Sequence, residues 1–331
     1  MSFGWKGKNV SVTGGLGFVG SNVAERLCRE GAEVTIFDDL SPYAGGNLAN
    51  LDGFRESVRL VHENVEEMRT AARVVSGQDF VFHCAALTSH PGSMKDPQAN
   101  INANCQGTIQ VLEAAKRYNP ECRMIFLGTT TQFGPLIRTP ADESHPEFPL
   151  DIYSANKCAS EKYVLIYAKA YGMHATVLRL PNLYGARAAI HSPEFTFNNY
   201  FLGLALKDRP ITIYGKGDQM RNILAVEDAV EAMLCAAARN EATGEIYLAV
   251  SDEHYSVREI ADTIVSVAGS GHVEEIPWPQ MRASLEVGNA VFSNAKIKKA
   301  LGWEPRLHLR QGLQRTCAFY RDKLDRYLKR L

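Results

Sequence analysis

The 331-residue chain has no run of about 18 apolar residues, which excludes a membrane-spanning helix. It has almost no net charge, −1 at pH 7, so it carries no general attraction for nucleic acid or an anionic membrane surface. The opening residues, Met-Ser-Phe-Gly-Trp-Lys, lack the charged-then-apolar pattern of a secretory leader, and the expected compartment is the cytoplasm. Cysteine is sparse and unpatterned: seven residues, at 28, 84, 105, 122, 158, 235 and 317, with no Cys-x-x-Cys. An odd, scattered set reads as reduced thiols serving mostly as small apolar residues. No His/Cys/Asp cluster has metal-ligand spacing, so no metal is expected. Repeats, low-complexity segments and long charge runs are lacking too. What remains is 45% hydrophobic and 22% charged, a soluble globular composition with core enough for one large or two small domains.

The most informative stretch is at the N-terminus. Asn9 to Thr13 is a short β-branched run, read as a buried strand. Gly14, Gly17 and Gly20 follow at three-residue spacing, and Phe18 to Glu30 has helical periodicity. Strand, tight turn and helix in that order form a dinucleotide-binding fingerprint. Gly14 permits the turn, Gly17 lets a pyrophosphate reach the backbone, and Gly20 lets the helix sit close on the strand. The helix N-terminus offers unpaired N–H groups and partial positive charge to phosphates. Glu33 to Phe37 reads as the second strand and ends in Asp38-Asp39. An acid about 20 residues past the glycines accepts hydrogen bonds from ribose hydroxyls and repels a 2′-phosphate. With no Arg following, the expected cofactor is NAD rather than NADP.

Further strands are expected at 58–61, 79–83, 123–127 and 175–179, alternating with helices at 96–118 and about 153–171. That rhythm predicts a parallel sheet covered on both faces. Small residues, Cys84-Ala-Ala, close the fourth strand where a ligand's backbone approach needs room. Tyr153 and Lys157, four apart, share one helix face. An ammonium one turn away favours phenolate and lowers the tyrosine pKa, making Tyr153 a candidate general base. A surface helix pair has the same spacing, and position after a fifth strand ending in hydroxyl residues favours the catalytic reading. Beyond residue 180 the alternation loosens: helices are expected at 195–206, 226–239, 257–268 with Ser256 as N-cap, 295–301 and 309–331, with strands at 211–215 and 245–250.

Taken in order, Thr-Gly-Gly-Leu-Gly-Phe-Val-Gly (13–20), Asp-Asp-Leu-Ser (38–41), His-Cys-Ala-Ala (83–86), Asn-Cys-Gln-Gly-Thr (104–108), Tyr-Ser-Ala-Asn-Lys (153–157), Arg-Leu-Pro-Asn-Leu-Tyr-Gly (179–185), Arg-Asn-Ile (221–223) and Leu-Gly-Trp-Glu-Pro (301–305) resemble the extended short-chain dehydrogenase/reductase family. Within it they resemble the nucleotide-sugar epimerase/dehydratase branch. The resemblance implies an α/β fold: a Rossmann-type doubly wound parallel sheet with a smaller mixed α/β C-terminal substrate-binding region. It divides the chain into an NAD-binding domain over 1–180, with 205–245 returning to it, and a substrate-binding cap from 181–204 and 246–331. It implies catalytic roles for Thr129, Tyr153 and Lys157. Tyr153 exchanges a proton with a sugar hydroxyl, Lys157 holds the nicotinamide ribose and Thr129 bonds the reacting oxygen. Gly14, Gly17, Phe18, Val19, Asp38, Asp39, Asn64, Val65, Ala85, Ala86 and Asn104, together with Tyr153 and Lys157, fall on cofactor-binding positions. Thr88, Thr130, Asn182 and Arg221 fall on substrate-binding positions, the last two beside the diphosphate, where a guanidinium fork suits phosphate oxygens.

The departures matter as much. Dehydratases of this branch carry an Asp-Glu pair after the catalytic Thr, and here Thr130 and Thr131 stand there. Without that pair, elimination lacks its acid and base. Asn64 replaces an Asp near the adenine, Asn222 an Asp after Arg221, and Pro181 an aromatic before Asn182. The resulting expectation is an NAD-dependent nucleotide-sugar epimerase, an isomerase working through a transient keto-sugar. A dehydratase, a decarboxylase, a ketosugar reductase and a non-catalytic NAD-binding protein are the alternatives. A homodimer is expected through the Tyr153/Lys157 helix, whose outer stripe is Cys158, Tyr163, Ile166 and Ala170. Loops at 88–95, 186–200 and 272–290 are expected to choose the sugar.

Overall fold

The computed structural model describes residues 3–283 and 286–328. Its strands are β1 (Asn9–Thr13), β2 (Glu33–Phe37), β3 (Val58–Val61), β4 (Phe80–His83), β5 (Arg123–Thr129), β6 (Ala175–Leu180), β7 (Asn182–Tyr184), β8 (Pro210–Tyr214), β9 (Met220–Ala225), β10 (Ile246–Leu248), β11 (His254–Ser256) and β12 (His272–Ile276). Seven make one parallel sheet in the order β10-β6-β5-β4-β1-β2-β3. The chain leaves β1 in one direction and later returns to its other side at β4. That reversal opens a crevice at the carboxyl ends of β1 and β4.

Helices cover both faces: α1 (Phe18–Arg29), α2 (Met68–Val75), α3 (His90–Lys95), α4 (Pro97–Ile101), α5 (Gly107–Tyr118), α6 (Ile152–Tyr171), α7 (Phe197–Leu206), α8 (Val226–Ala237), α9 (Val257–Ala268), α10 (Gln280–Ala283), α11 (Ala295–Leu301), α12 (Leu309–Arg321) and α13 (Leu324–Leu328). Period-2 alternation sorts the strand side chains between two cores. Val10, Val12, Phe80, Phe82, Ile125 and Leu178 face α1 and α8, joined by Leu27 and Met233. Val81, Met124, Phe126 and Val177 face α2, α5 and α6, joined by Val74, Val111, Leu112 and Val164. A third core, built on α7, α9, α12, β8 and β9, fills the smaller lobe.

Four sequence expectations change. The helix expected over 96–118 is α4 and α5 separated by a π-helical turn at Asn102–Gln106. The segment 205–245, expected to rejoin the NAD-binding domain, splits. Ile211, Ile213, Ile223 and Ala225 pack in the smaller lobe, whereas Ala229, Val230 and Met233 of α8 pack on the large sheet. Ile246–Leu248, expected in the cap, pairs with β6 and closes the large sheet, and Ile297, Leu301 and Trp303 pack there too. The terminal helix breaks into α12 and α13, and residues 329–331 of that expectation lie outside the described residues, as do 284 and 285 of the loop at 272–290.

Candidate active site

A cleft runs along the carboxyl ends of β1, β2, β4, β5 and β6. Gly14, Gly17, Phe18, Val19, Asp38, Asp39, Asn64, Val65, Ala85, Ala86, Thr88, Thr129, Tyr153, Lys157 and Asn182 all line it. Residues separated by well over a hundred positions are thus brought to one wall.

The glycine turn is a cradle that admits no side chain. Gly14 has φ +64°, and a Cβ there would lie 2.8 Å from the Ala85 backbone. A Cβ on Gly20 would lie 2.3 Å from the Gly14 carbonyl oxygen, so the first turn of α1 sits directly on the β1 turn. The N-cap of α1 is Gly17, with no side-chain cap, which leaves its first N–H groups to the cleft. Asp38, at the end of β2, accepts from the Leu16 and Leu40 N–H groups at 2.9 and 2.8 Å. Burial pushes its carboxyl above the usual range despite those donors, with Asp39 adding to the rise. Asp39 accepts from Asn64 at 3.0 Å. This end of the cleft fits a dinucleotide: a backbone-lined turn, an open helix N-terminus and an acid fixed beside them.

The other end is built on α6. Asp151 caps the helix, its Oδ1 accepting from Ser154 N–H at 2.9 Å. Tyr153, Lys157, Glu161, Val164 and Ala168 form the buried stripe. Glu161, one turn beyond Lys157, is fully buried and bonds Arg179 of β6 at 2.8 and 2.6 Å, which clamps α6 to the sheet. The Lys157 ammonium stands 4.0 Å from the centre of the Phe126 ring. Burial pulls its pKa down to about 8, against the opposing pull of Cys84, Cys105 and Glu161. Tyr153 departs from expectation. Burial, reinforced by the Asp151 charge, drives its phenol well above the usual range, and the Thr129 hydroxyl bonded to it only partly offsets this. The lowering expected from Lys157 is not among the influences on the phenol, which are burial, Asp151 and Thr129.

Three expected residues are not on the cleft wall. Asn104 lies beneath it in the π-helical turn and holds the chain leaving β4. Its Nδ2 donates to Leu87 O at 3.0 Å and its Oδ1 accepts from Leu87 N–H at 3.2 Å. Thr130 is buried in the turn after β5. Arg221 of β9 is held by Glu286 at 2.6 Å and by the Gly288 carbonyl at 2.7 Å. Of the three loops expected to choose the sugar, the first two contribute Thr88, His90, Ala188, Ala189, Phe195 and Thr196, and 272–290 contributes none among the described residues.

The sequence reading missed His90. Its ring meets Tyr153 edge-on, centroids 4.9 Å apart, and its Nδ1 is 2.7 Å from Asp151 Oδ2. Burial works to raise Asp151, but His90 and Ser154 outweigh it and hold the carboxyl below its usual range. The signal was present locally: Ser89-His-Pro has an N-cap residue and a proline for a first helical turn, and Ser89 does cap α3, accepting from Gly92 N–H at 2.9 Å.

Residues 10–249 match the profile of the NAD dependent epimerase/dehydratase family. UDP-glucuronic acid decarboxylase 1 of Danio rerio is 28% identical, over 96% of this chain and 74% of its own. A dTDP-glucose 4,6-dehydratase of Streptomyces niveus is 29% identical, over 95% and 93%. The structure of a UDP-glucose 4-epimerase from Thermotoga maritima, solved with UDP-glucose, superimposes with a TM-score of 0.84 at 27% identity, over 96% and 99%.

Proposed function

The chain belongs to the NAD dependent epimerase/dehydratase family, and within that NAD-using family we propose that it is a nucleotide-sugar epimerase. The observation carrying this reading is the composition of the cleft at Tyr153. Thr129, Tyr153 and Lys157 meet there, while the cleft-lining carboxylates among the described residues, Asp38, Asp39, Glu63 and Glu66, cluster at the opposite, glycine-turn end. Hydride chemistry has its residues, and the paired carboxylates for eliminating water are not beside them.

Bound NAD supplies a hydride acceptor that returns the hydride, so net redox is zero. The glycine turn and the α1 N-terminus hold the diphosphate of the cofactor, and Asp38 its ribose hydroxyls. Lys157 holds the second ribose from its buried position. Acting as phenolate, Tyr153 takes the proton from a sugar hydroxyl as that carbon becomes a ketone and gives it back on the return, with Thr129 bonded to the same oxygen. Burial alone favours the phenol, so the phenolate relies on the Lys157 ammonium and on the positive charge that bound NAD would bring. Asn182 lines the substrate side, and Arg221, released from Glu286, reaches the sugar's diphosphate. Remote diphosphate binding then holds a keto-sugar that can be inverted by turning its other face to the returning hydride or by exchanging a proton at the neighbouring carbon. A substrate of this class and its cofactor are met in the cytoplasm. Ile166 and Tyr171 stand exposed on α6, at 56% and 53%, and support a homodimer through that helix.

The test is incubation with UDP-glucose, UDP-glucuronic acid and dTDP-glucose, followed by product mass and NMR. An epimer has unchanged mass. Loss of water or carbon dioxide, or steady release of NADH, overturns the epimerase reading. Tyr153→Phe is expected to keep NAD binding while turnover falls at least about 100-fold, and full activity in that variant removes Tyr153 from the mechanism.

A further inference from the structure

Tyr153 can move one proton, on and off an oxygen. Inverting a carbon next to the ketone needs a second group that moves a proton on and off carbon. Besides Tyr153 and Lys157, the titratable side chains at this end of the cleft among the described residues are Cys84, whose thiol burial pushes up to about 12 and so keeps protonated, and His90. Its Nδ1 is tied to Asp151 at 2.7 Å, and Asp151 is fixed in turn as the cap of α6. An ionised carboxylate accepts only, so it holds the neutral ring with the proton on Nδ1 and leaves Nε2 as a base. Nε2 has no hydrogen-bond partner among the described residues. The ring packs edge-on against Tyr153, which puts it next to the reacting oxygen's acid/base. The same carboxylate oxygen also accepts from the Ser154 hydroxyl at 3.0 Å, and the Ser154 oxygen lies 2.9 Å from the Thr131 hydroxyl, itself 3.0 Å from that of Thr129. Hydroxyls thus connect the histidine to the residue beside the phenol.

We infer that His90, oriented by Asp151, is a second acid/base of this cleft, acting on the carbon adjacent to the keto carbon, so that the favoured epimerisation proceeds by proton exchange with solvent. This rests on the keto-sugar reading above. Once the sugar is a ketone, neutral Nε2 removes the proton from the neighbouring carbon. The C–H electron pair moves into the carbonyl as an enolate, and the ring becomes imidazolium beside Asp151. Return of a proton to either face of that carbon, from the imidazolium itself or from a water whose hydroxide then takes the imidazolium proton, regenerates the ketone and neutral His90. No oxidant beyond the family's cofactor is needed.

The experiment uses the NAD-loaded chain in deuterium oxide with the same three nucleotide sugars. It reads bound-NADH absorbance for the hydride step and NMR for deuterium at the adjacent carbon. His90→Asn keeps a donor for Asp151 and cannot take a proton. Its ratio of deuterium exchange to NADH formation is expected to fall at least about 100-fold, and added imidazole is expected to restore exchange in His90→Ala. An unchanged ratio in His90→Asn, or wild-type product without solvent deuterium, overturns the role of His90 while leaving the hydride reading intact. Absence of bound NADH with all three sugars overturns both. Independently of turnover, nitrogen-15 spectra of the histidine-labelled chain should show the His90 proton on Nδ1, and a proton on Nε2 overturns the proposal.

Discussion

Replacing Lys157 by methionine should stabilise the fold while ending catalysis. Lys157 is 4% exposed, and its pKa falls from 10.5 to about 8 through burial. Keeping that amine charged at neutral pH therefore disfavours folding by about 3 kcal/mol. Methionine retains an unbranched apolar stem and packs well against a ring. Loss of the cation's contact with Phe126 returns about 0.5–2 kcal/mol, so Lys157→Met should be more stable at pH 7 by about 1–3 kcal/mol, a rise of a few degrees in Tm. The pH dependence gives the sharper test. Between pH 8 and 10.5 the unfolded chain holds a proton on this lysine that the folded chain has shed, so wild-type stability rises with pH across that window. The advantage of the variant is then largest below pH 8 and disappears towards 10.5. Urea titrations from pH 7 to 10.5 on protein stripped of NAD measure it, since NAD bound only by the wild type would hide the difference. A variant that is less stable at pH 7, or whose advantage is independent of pH, refutes the assignment of a desolvated ammonium. The site then illustrates stability given up for function, held in place by the rest of the fold.

Two further outcomes follow from the nucleotide end. Gly20→Ala places a Cβ 2.3 Å from a backbone oxygen that cannot swing away, so it should lower stability by about 1–3 kcal/mol and weaken NAD binding, read by thermal melts with and without NAD. Asp38→Ala removes the acceptor held by Leu16 and Leu40. Its preference for NAD over NADP, measured by calorimetry, should fall at least about tenfold, which is about 1.4 kcal/mol, and an unchanged preference would show that another group repels the 2′-phosphate.

Elements in both halves of the chain were legible where their signals are local. Strands at 9–13, 33–37 and 58–61 and helices at 257–268 and 295–301 run where pattern and caps place them, Ser256 included. The π-helical turn was invisible because its cause is not periodic. Asn100 and Asn104 reach the carbonyl of Leu87, on a neighbouring segment, at 3.0 Å each, and the helix registers around that contact. The three-residue strands β7 and β11 carry too few residues to show alternation. Arg221 was legible as a cation but not as one already engaged, because Glu286 lies 65 residues away. Tyr153 was legible as a candidate base, whereas the sign of its shift depended on burial that no four-residue spacing encodes. His90 was hidden for the same reason: its partner Asp151 is 61 positions along the chain.

The placement of β10 has a consequence for biogenesis. All six residues of β6 are buried, and its outer hydrogen-bonding edge is satisfied only by a strand that begins at Ile246. Between the two lie β7, α7, β8, β9 and α8, so much of the smaller lobe emerges from the ribosome before the large sheet can be completed. A polypeptide ending near residue 180 would present an unpaired, apolar strand, the template for sticking to other chains. The large sheet is therefore not contained in the first half of the chain, and the nucleotide half exists in finished form only once most of its neighbour has been made.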